Sequence, residues 1–404
     1  MRRGALPVLG VLLIMVAVGW GWAAHAGQLS AGRYGRVQVV EPPVAARGLV
    51  IYFADPALSR TQRRQFAGRL AHAGAWVSVV DAARYRQRLQ KGNGSCRAMA
   101  DDAALLAQKL LKRERAGQFY LPVLVGQGSS AGLVRDSAAG AAPGEFAAAL
   151  VTADGAALSN ASCVGGTVAV QVKSLPEDAL LAAVSAALNA APVQGVATLS
   201  LVEMPAAGSK RLVVLISGDG GWRDLDKGLA HELNQRGISV VGWNSLRYFW
   251  KKRTAAQTGA DLDNVVRTYR QRWQADDVAL VGYSFGADVL PFAYPLLSGE
   301  QRRAVRLVSL LGLAHGADFE VRVGGWLGWF RAQEVPVQPA LAGLQPVAHQ
   351  CVYGVDEKDS LCRDLRGDAH MQVVELPGGH HFDRDPGKLA RIIVDRWDAA
   401  PAQP

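Results

Sequence analysis

The sequence predicts an α/β fold built twice: two domains, each a mostly parallel sheet flanked by helices. Two observations carry this. Short apolar runs rich in Val, Ile and Leu alternate with amphipathic stretches of helical period, as parallel strands covered on both faces require. The alternation also occurs in the same order in both halves. RLAHAGAWVSVVD in the first half and GLAHELNQRGISVVGW in the second share one plan: helix, glycine stop, strand. An ancient duplication and two independently similar α/β domains both account for it.

In the first half, GLVIYF (Gly48–Phe53) reads as a strand, Arg60–Gly74 as a helix stopped by Gly74, and WVSVVD (Trp76–Asp81) as a strand. A helix around Asp101–Leu111 leads to the strand YLPVLVG (Tyr120–Gly126). The Ala/Gly-rich segment Ser137–Ala149 reads as a surface connection plus a short helix. In the second half, strands are expected at Arg211–Ser217, Ile238–Trp243, Val278–Tyr283 and Arg306–Gly312, then near His349–Tyr353 and Met371–Glu375. Helices are expected at Asp224–Gln235, Ala260–Trp273, just after Ser284, and at Pro386–Trp397.

The chain has 404 residues, half of them hydrophobic, enough for two domains of ordinary size. A formal net charge of +9 suits an anionic partner, either a membrane surface or a nucleic acid. With no nucleic-acid motif and no long Lys/Arg run, no nucleic acid is expected. Arg2 and Arg3 precede an apolar run from about Leu6 to Trp22, followed by Ala24-His25-Ala26, a small-x-small pattern. Residues 1–26 therefore read as a secretory signal peptide or an uncleaved anchor. Either places the remainder outside the cytoplasm. The domains are expected at 28–192 and 211–404, joined by a linker at 193–210 that carries Pro205 and Gly208. Of the four cysteines, Cys96 and Cys163 fall in the first half, and Cys351 and Cys362 in the second. Export favours one disulfide within each half. No Cys/His cluster suggests a metal, and no cofactor is expected.

The chemistry is concentrated in the second half. Gly282-Tyr283-Ser284-Phe285-Gly286 follows an apolar strand and precedes a helix, which is the setting of a nucleophile elbow and of an α/β-hydrolase-like domain. A serine hydroxyl needs a base, and the base an orienting acid. In this fold they follow the serine in the order acid, histidine. The loop Gly354–Ser360 offers Asp359 as the acid, with Asp356 as the alternative and Glu357 ranked below both. The loop Pro377–Phe382 offers His380 as the base, with His381 as the alternative. A bridge between Cys351 and Cys362 would brace the acid loop. Oxyanion donors are expected from the backbone N–H of Phe285 and from Asp219 or Gly220 in the loop SGDGGW, Ser217–Trp222. Asp219 could also receive a cationic group of a substrate. Asp288, one helical turn beyond Ser284, reads as a structural partner.

Two aromatic stretches accompany this set. SLRYFWKKR carries Tyr248, Phe249, Trp250, Lys251 and Lys252, and GGWLGWFR carries Trp326 and Trp329. Rings beside cations suit an anionic lipid interface. Packing of the rings against the sheet is the other reading of each. In the first half VLVGQGSSAG (Val123–Gly132) stands where the elbow stands in the second, but Gly128 takes the nucleophile's place and no histidine follows His72 in that half. The first domain is therefore expected to be degenerate, with Ser129 and Ser130 starting a helix.

Taken together, GYSFGADVLPF, the SGDGGW loop, RYFW, the Asp/Cys loop and PGGHHF resemble the AcvB/VirJ family of exported bacterial proteins. The resemblance covers the second half. The two-domain layout with a leader is similar to the AcvB-like members. It implies a periplasmic serine hydrolase, associated with the inner membrane, that removes the lysyl or alanyl ester from aminoacyl-phosphatidylglycerol. Its partner would then be an anionic or aminoacylated membrane phospholipid. It also implies Ser284, His380 and Asp359 as the catalytic set. The VirJ-like members suggest a different role, a binding or assembly factor in secretion.

Overall fold

The computed structural model describes residues 27–92, 95–142, 144–153, 170–189, 199–321 and 334–401. The expected leader, Cys163, Trp326 and Trp329 lie outside them. The first domain runs β1 (Gly27–Ala31), β2 (Gly35–Val40), β3 (Gly48–Ala54), α1 (Arg60–His72), β4 (Ala75–Asp81), α2 (Ala82–Lys91), α3 (Cys96–Arg113), β5 (Pro122–Gly126), α4 (Ala131–Ala139), β6 (Ala148–Thr152), β7 (Val172–Leu175), α5 (Glu177–Asn189). The second runs β8 (Leu201–Met204), β9 (Arg211–Ile216), α6 (Asp224–Gln235), β10 (Ser239–Trp243), α7 (Ser245–Tyr248), α8 (Ala255–Trp273), β11 (Asp277–Tyr283), α9 (Phe285–Ala293), α10 (Gly299–Ala304), β12 (Val305–Leu311), β13 (Gly316–Ala317), β14 (Val335–Pro336), β15 (Ala348–Gly354), α11 (Leu361–Asp364), β16 (Gln372–Leu376), α12 (Pro386–Asp398).

Local chemistry explains the boundaries. Ser59 and Gln62 form a capping box at the start of α1, and Phe66, Ala67, Leu70 and Ala71 give it one buried face. Gly74, at φ +96°, then turns the chain into β4. Helix α8 begins five residues before the periodicity suggests, because Thr254 and Gln257 make a second capping box. The segment 137–149 is not a surface connection. Its first residues finish the buried helix α4 and its last two open β6, whose short alanine-rich run hides a strand. Part of the expected linker is also sheet, since β8 pairs antiparallel with β10.

The two sheets share a topology. The first has the order β1-β2-β4-β3-β5-β6-β7 and the second β8-β10-β9-β11-β12-β15-β16 when read from its antiparallel edge. Six strands correspond one to one, from β2 with β8 through β7 with β15. Of these six, the first (β2 or β8) is antiparallel to its neighbour and the other five are parallel to one another. The sheets differ at their ends. The first adds β1 beyond β2; the second adds β16 beyond β15.

One cluster of buried apolar side chains runs through both domains, from Leu106 and Leu110 on α3 to Leu246 and Trp250. Two salt bridges cross the same boundary. Lys227 Nζ of α6 lies 2.9 Å from Asp101 on α3 and 2.7 Å from Glu145, and all three side chains are buried. Burial pushes the Lys227 ammonium down, but the two carboxylates outweigh it and hold it above its ordinary value.

Candidate active site

The site sits where β9, β11, β15 and β16 end. Ser284 follows β11 directly at φ 53° and ψ −120°, a strained position for a residue with a side chain. The strain is held by two glycines. A Cβ on Gly282 would fall 2.4 Å from Gly286 O, and one on Gly286 would fall 2.1 Å from Ile216 O. Strand, turn and helix can therefore close only if both positions lack side chains. The Ser284 N–H donates to Leu311 O at 2.8 Å, which ties the elbow to β12.

His380 lies on the loop after β16. Its Nε2 is 2.8 Å from Ser284 Oγ, and its Nδ1 is 2.5 Å from Glu357 Oε1. Gly312, at φ +67°, makes room for the ring: a Cβ there would meet His380 Cε1 at 2.8 Å. The acid expected at Asp359 is thus corrected to Glu357. The Asp359 side chain is 72% exposed and stands 3.8 Å from His315. Asp356 is exposed as well, its backbone N–H donating to Gly378 O at 2.9 Å. That bond ties the two loops together directly after β15. The longer Glu357 side chain then reaches the ring from close to the strand end, while Asp359 lies too far along the loop. The Cys351–Cys362 disulfide is formed and closes this loop. Cys96 is also disulfide-bonded, and its expected partner Cys163 lies outside the described residues.

His381 turns away from Ser284. Its Nδ1 is 2.7 Å from the Tyr283 hydroxyl, and burial, aided by the neighbouring His380, lowers its pKa. The same hydroxyl lies 3.3 Å from His380 O, so Tyr283 anchors both histidines of the loop. Asp288 is buried one turn along α9 and accepts the Ala314 N–H at 2.8 Å. Burial raises its pKa well above the ordinary carboxylate range. It is a structural partner, as its position suggests.

The N–H of Phe285 belongs to the first residue of α9 and has no acceptor within the helix. The loop after β9 passes close by: a Cβ on Gly218 would be 3.5 Å from Ser284 Cβ. The N–H of Gly221 is used inside the loop, on Gly218 O, and Asp219 and Gly220 are partly exposed beside it. Buried Asp226 on α6 braces the loop by accepting the N–H groups of Arg223 and Gly218. The arrangement can take a proton from Ser284 onto His380 and steady the resulting imidazolium against Glu357.

Residues 210–401, from β9 through α12, match the family model described as bacterial virulence protein, VirJ. This is a VirJ-family domain. No curated protein matches the chain. Solved structures similar to it include a serine hydrolase without a lid from Xanthomonas campestris, at 18% identity over 50% of this chain and 90% of that one, with a TM-score of 0.34. A carboxylesterase from Mesorhizobium loti is 20% identical over 50% and 94%, with a TM-score of 0.33. The thioesterase domain of a curacin biosynthetic pathway is 16% identical over 48% and 94%, also with a TM-score of 0.33.

In the VirJ-family domain the first aromatic stretch is not at the surface. Tyr248, Phe249 and Trp250 are buried. Trp250 Nε1 donates to Ala116 O of the first domain at 3.1 Å, and Lys112 stands 4.1 Å from the Trp250 ring centre. Of the rings that read as a membrane contact, Trp250 packs between the domains, against Lys112 and Phe119, while Tyr248 and Phe249 pack inside their own domain, against Trp243, Phe285 and Phe319. Lys251 and Lys252 remain exposed.

The first domain keeps the elbow and fills it. Gly128 has φ +51°, close to the 53° of Ser284. A Cβ on Gly128 would fall 1.8 Å from Asp55 Oδ2. The Asp55 carboxylate accepts the Ser129 N–H and the Ser129 hydroxyl, both at 3.0 Å. Ser129 corresponds to Phe285, so a built-in anion takes the N–H that would serve an oxyanion. Among the described residues this domain has no counterpart of β16, the strand whose end delivers the histidine.

Proposed function

We propose that this protein is an exported serine hydrolase acting on the aminoacyl ester of lysyl- or alanyl-phosphatidylglycerol. The observation that carries the hydrolase reading is the continuous Ser284–His380–Glu357 relay on a strained elbow. The substrate reading draws on the resemblance to the AcvB-like proteins and on the leader, which would place the chain in the periplasm near such lipids.

Ser284 Oγ attacks the ester carbonyl as its proton passes to His380 Nε2. The Phe285 N–H and the Asp219–Gly220 backbone receive the developing oxyanion. The C–O bond to the glycerol breaks, and His380 returns the proton to the departing phosphatidylglycerol. Water, deprotonated by His380, then releases the amino acid from Ser284. Asp219, partly exposed on the loop over Ser284, is the group suited to the substrate's ammonium.

The test is amino-acid release from purified aminoacyl-phosphatidylglycerol by the wild type and by Ser284→Ala. Release that depends on Ser284 is expected. No release would defeat the enzyme reading and favour a binding or assembly role. Equal turnover of plain acyl esters would favour a general esterase.

A further inference from the structure

Two arginines beside the catalytic loops are not used by the chemistry above. Arg223 ends the loop after β9, and Arg384 follows His380 and His381 on the loop after β16. Among the described residues neither guanidinium forms an ion pair.

The fold brings the two to one place. Helices α6 and α12 pack side by side on one face of the second sheet, with Leu225 and Leu229 of the first and Leu389 and Ile393 of the second in one apolar cluster. A Cβ on Gly228 of α6 would meet Pro386 of α12 at 3.0 Å. Arg223 directly precedes α6, and Arg384 stands just before α12. Both lie within electrostatic reach of His381 and of Asp224.

Arg223 folds back over the loop expected to hold the oxyanion. A Cβ on Gly220 would fall 3.5 Å from its Cδ and 3.6 Å from its Nη1. Arg384 is reached through a turn that few sequences adopt. Phe382, Asp383 and Arg384 have φ of 50°, 50° and 58°, three successive left-handed residues with side chains. Buried Phe382 holds this turn, as do the bonds from Phe382 N–H to Gly379 O at 2.9 Å and from Arg384 N–H to His381 O at 2.8 Å. The turn leaves Arg384 exposed beside the histidines.

The neighbouring acids have other partners. Asp226 accepts the N–H groups of Arg223 and Gly218, and Asp224 is hydrogen-bonded to Asp101. Asp385 Oδ1 accepts the Lys388 N–H at 2.9 Å and so caps α12. Asp383 lies over Gly378, where a Cβ would fall 2.1 Å from its Oδ1.

We infer that Arg223 and Arg384 form an anion subsite beside Ser284 that takes a phosphate diester on the alcohol side of the ester. The identity of this ligand rests on the lipid-ester reading above. In that substrate one glycerol separates the ester oxygen from the phosphate, so an ester held at Ser284 brings the phosphate to the rim of the same two loops. A guanidinium meets phosphate through two parallel N–H bonds and stays charged throughout the physiological range. An uncharged ester gains nothing from the pair, which makes it a determinant of specificity.

The test is calorimetric binding of glycerophosphoglycerol, the soluble headgroup diester, to the full chain carrying Ser284→Ala. Binding should weaken with salt. Adding Arg223→Gln or Arg384→Gln should weaken it about tenfold or more. Arg223→Lys and Arg384→Lys keep the charge and should lose less, which separates loss of the contact from loss of the fold. The diester should bind more tightly than inorganic phosphate, because its glycerol also reaches the pocket at Ser284. With Ser284 present, the preference for the alanyl ester of glycerophosphoglycerol over that of glycerol should fall about tenfold or more in each Gln variant. Binding without turnover would sink the hydrolase reading and leave the subsite standing. Turnover without arginine-dependent binding would do the reverse. Unchanged binding in both Gln variants, equal losses for Lys and Gln, or tighter binding of inorganic phosphate than of the diester would overturn the inference.

Discussion

Glu357 Oε1 stands 2.5 Å from His380 Nδ1, while Asp359, two residues further on, faces solvent and His315. The orienting acid keeps the imidazole in the tautomer that can accept the serine proton. Glu357→Gln preserves shape and removes that charge. It should lower kcat/KM by about a thousandfold or more, whereas Asp359→Asn should stay close to wild type. Steady-state hydrolysis of a soluble ester by the two variants separates them. A large loss in Asp359→Asn with an active Glu357→Gln would reverse the assignment.

Lys227 joins the domains through a buried contact with Asp101 and Glu145. Lys227→Met leaves both carboxylates buried without their cation, a change that costs roughly 3–5 kcal/mol. The melting temperature should fall accordingly. The same turn of α6 holds Asp226, which braces the loop beside Ser284, so kcat should fall more than KM rises. Thermal melts and steady-state kinetics of the full chain check both.

The same interface predicts a pH dependence. Burial pushes the Asp101 carboxyl up to about 7, with Lys227 opposing and Asp224 reinforcing. Asp224 is displaced downward, first by its hydrogen bond to Asp101, so the pair holds one shared proton. Between about pH 4 and 7 the folded chain keeps a proton that the unfolded chain has released. Asp101 therefore contributes stability at the acid end that is lost as pH rises through that window. Asp101→Asn should remove this component, which appears as a changed slope of melting temperature against pH relative to the wild type. Parallel slopes would contradict the assignment.

Gly128→Ser would restore a nucleophile-like residue to the first domain. Its Cβ would collide with Asp55, and φ at +51° would strain any side chain. The variant should lose roughly 1–3 kcal/mol of stability. In a Ser284→Ala background it should restore no hydrolysis, because no histidine loop reaches that elbow. Denaturant melts and the amino-acid release assay check the two halves of this prediction. Residual hydrolysis by Ser284→Ala that vanished only on also replacing Ser129 and Ser130 would show that the first elbow is active.

Much of this molecule is decided locally. The strands are apolar runs, α1 starts at a Ser cap three residues before Gln, and Gly74 stops it. Pattern and propensity suffice for these. The elbow is legible for the same reason: only glycine at 282 and 286 lets strand and helix close on a serine, a constraint of a few successive residues. The choice among Asp356, Glu357 and Asp359 is not local. It depends on the length of each side chain and on how the loop after β15 lies against the loop after β16, joined by the bond from Asp356 N–H to Gly378 O. Nor could the sequence tell rings destined for a membrane from rings destined for a neighbouring domain. Tyr248, Phe249 and Trp250 have the composition of either, and only tertiary packing decides: Trp250 meets Lys112 of α3, and Tyr248 and Phe249 meet rings of their own domain. The repeated helix–strand order announced two related domains. The lack, among the described residues, of a strand like β16 in the first, and the carboxylate filling its elbow, emerged only from tertiary structure, because both depend on residues far apart in sequence meeting at one sheet edge.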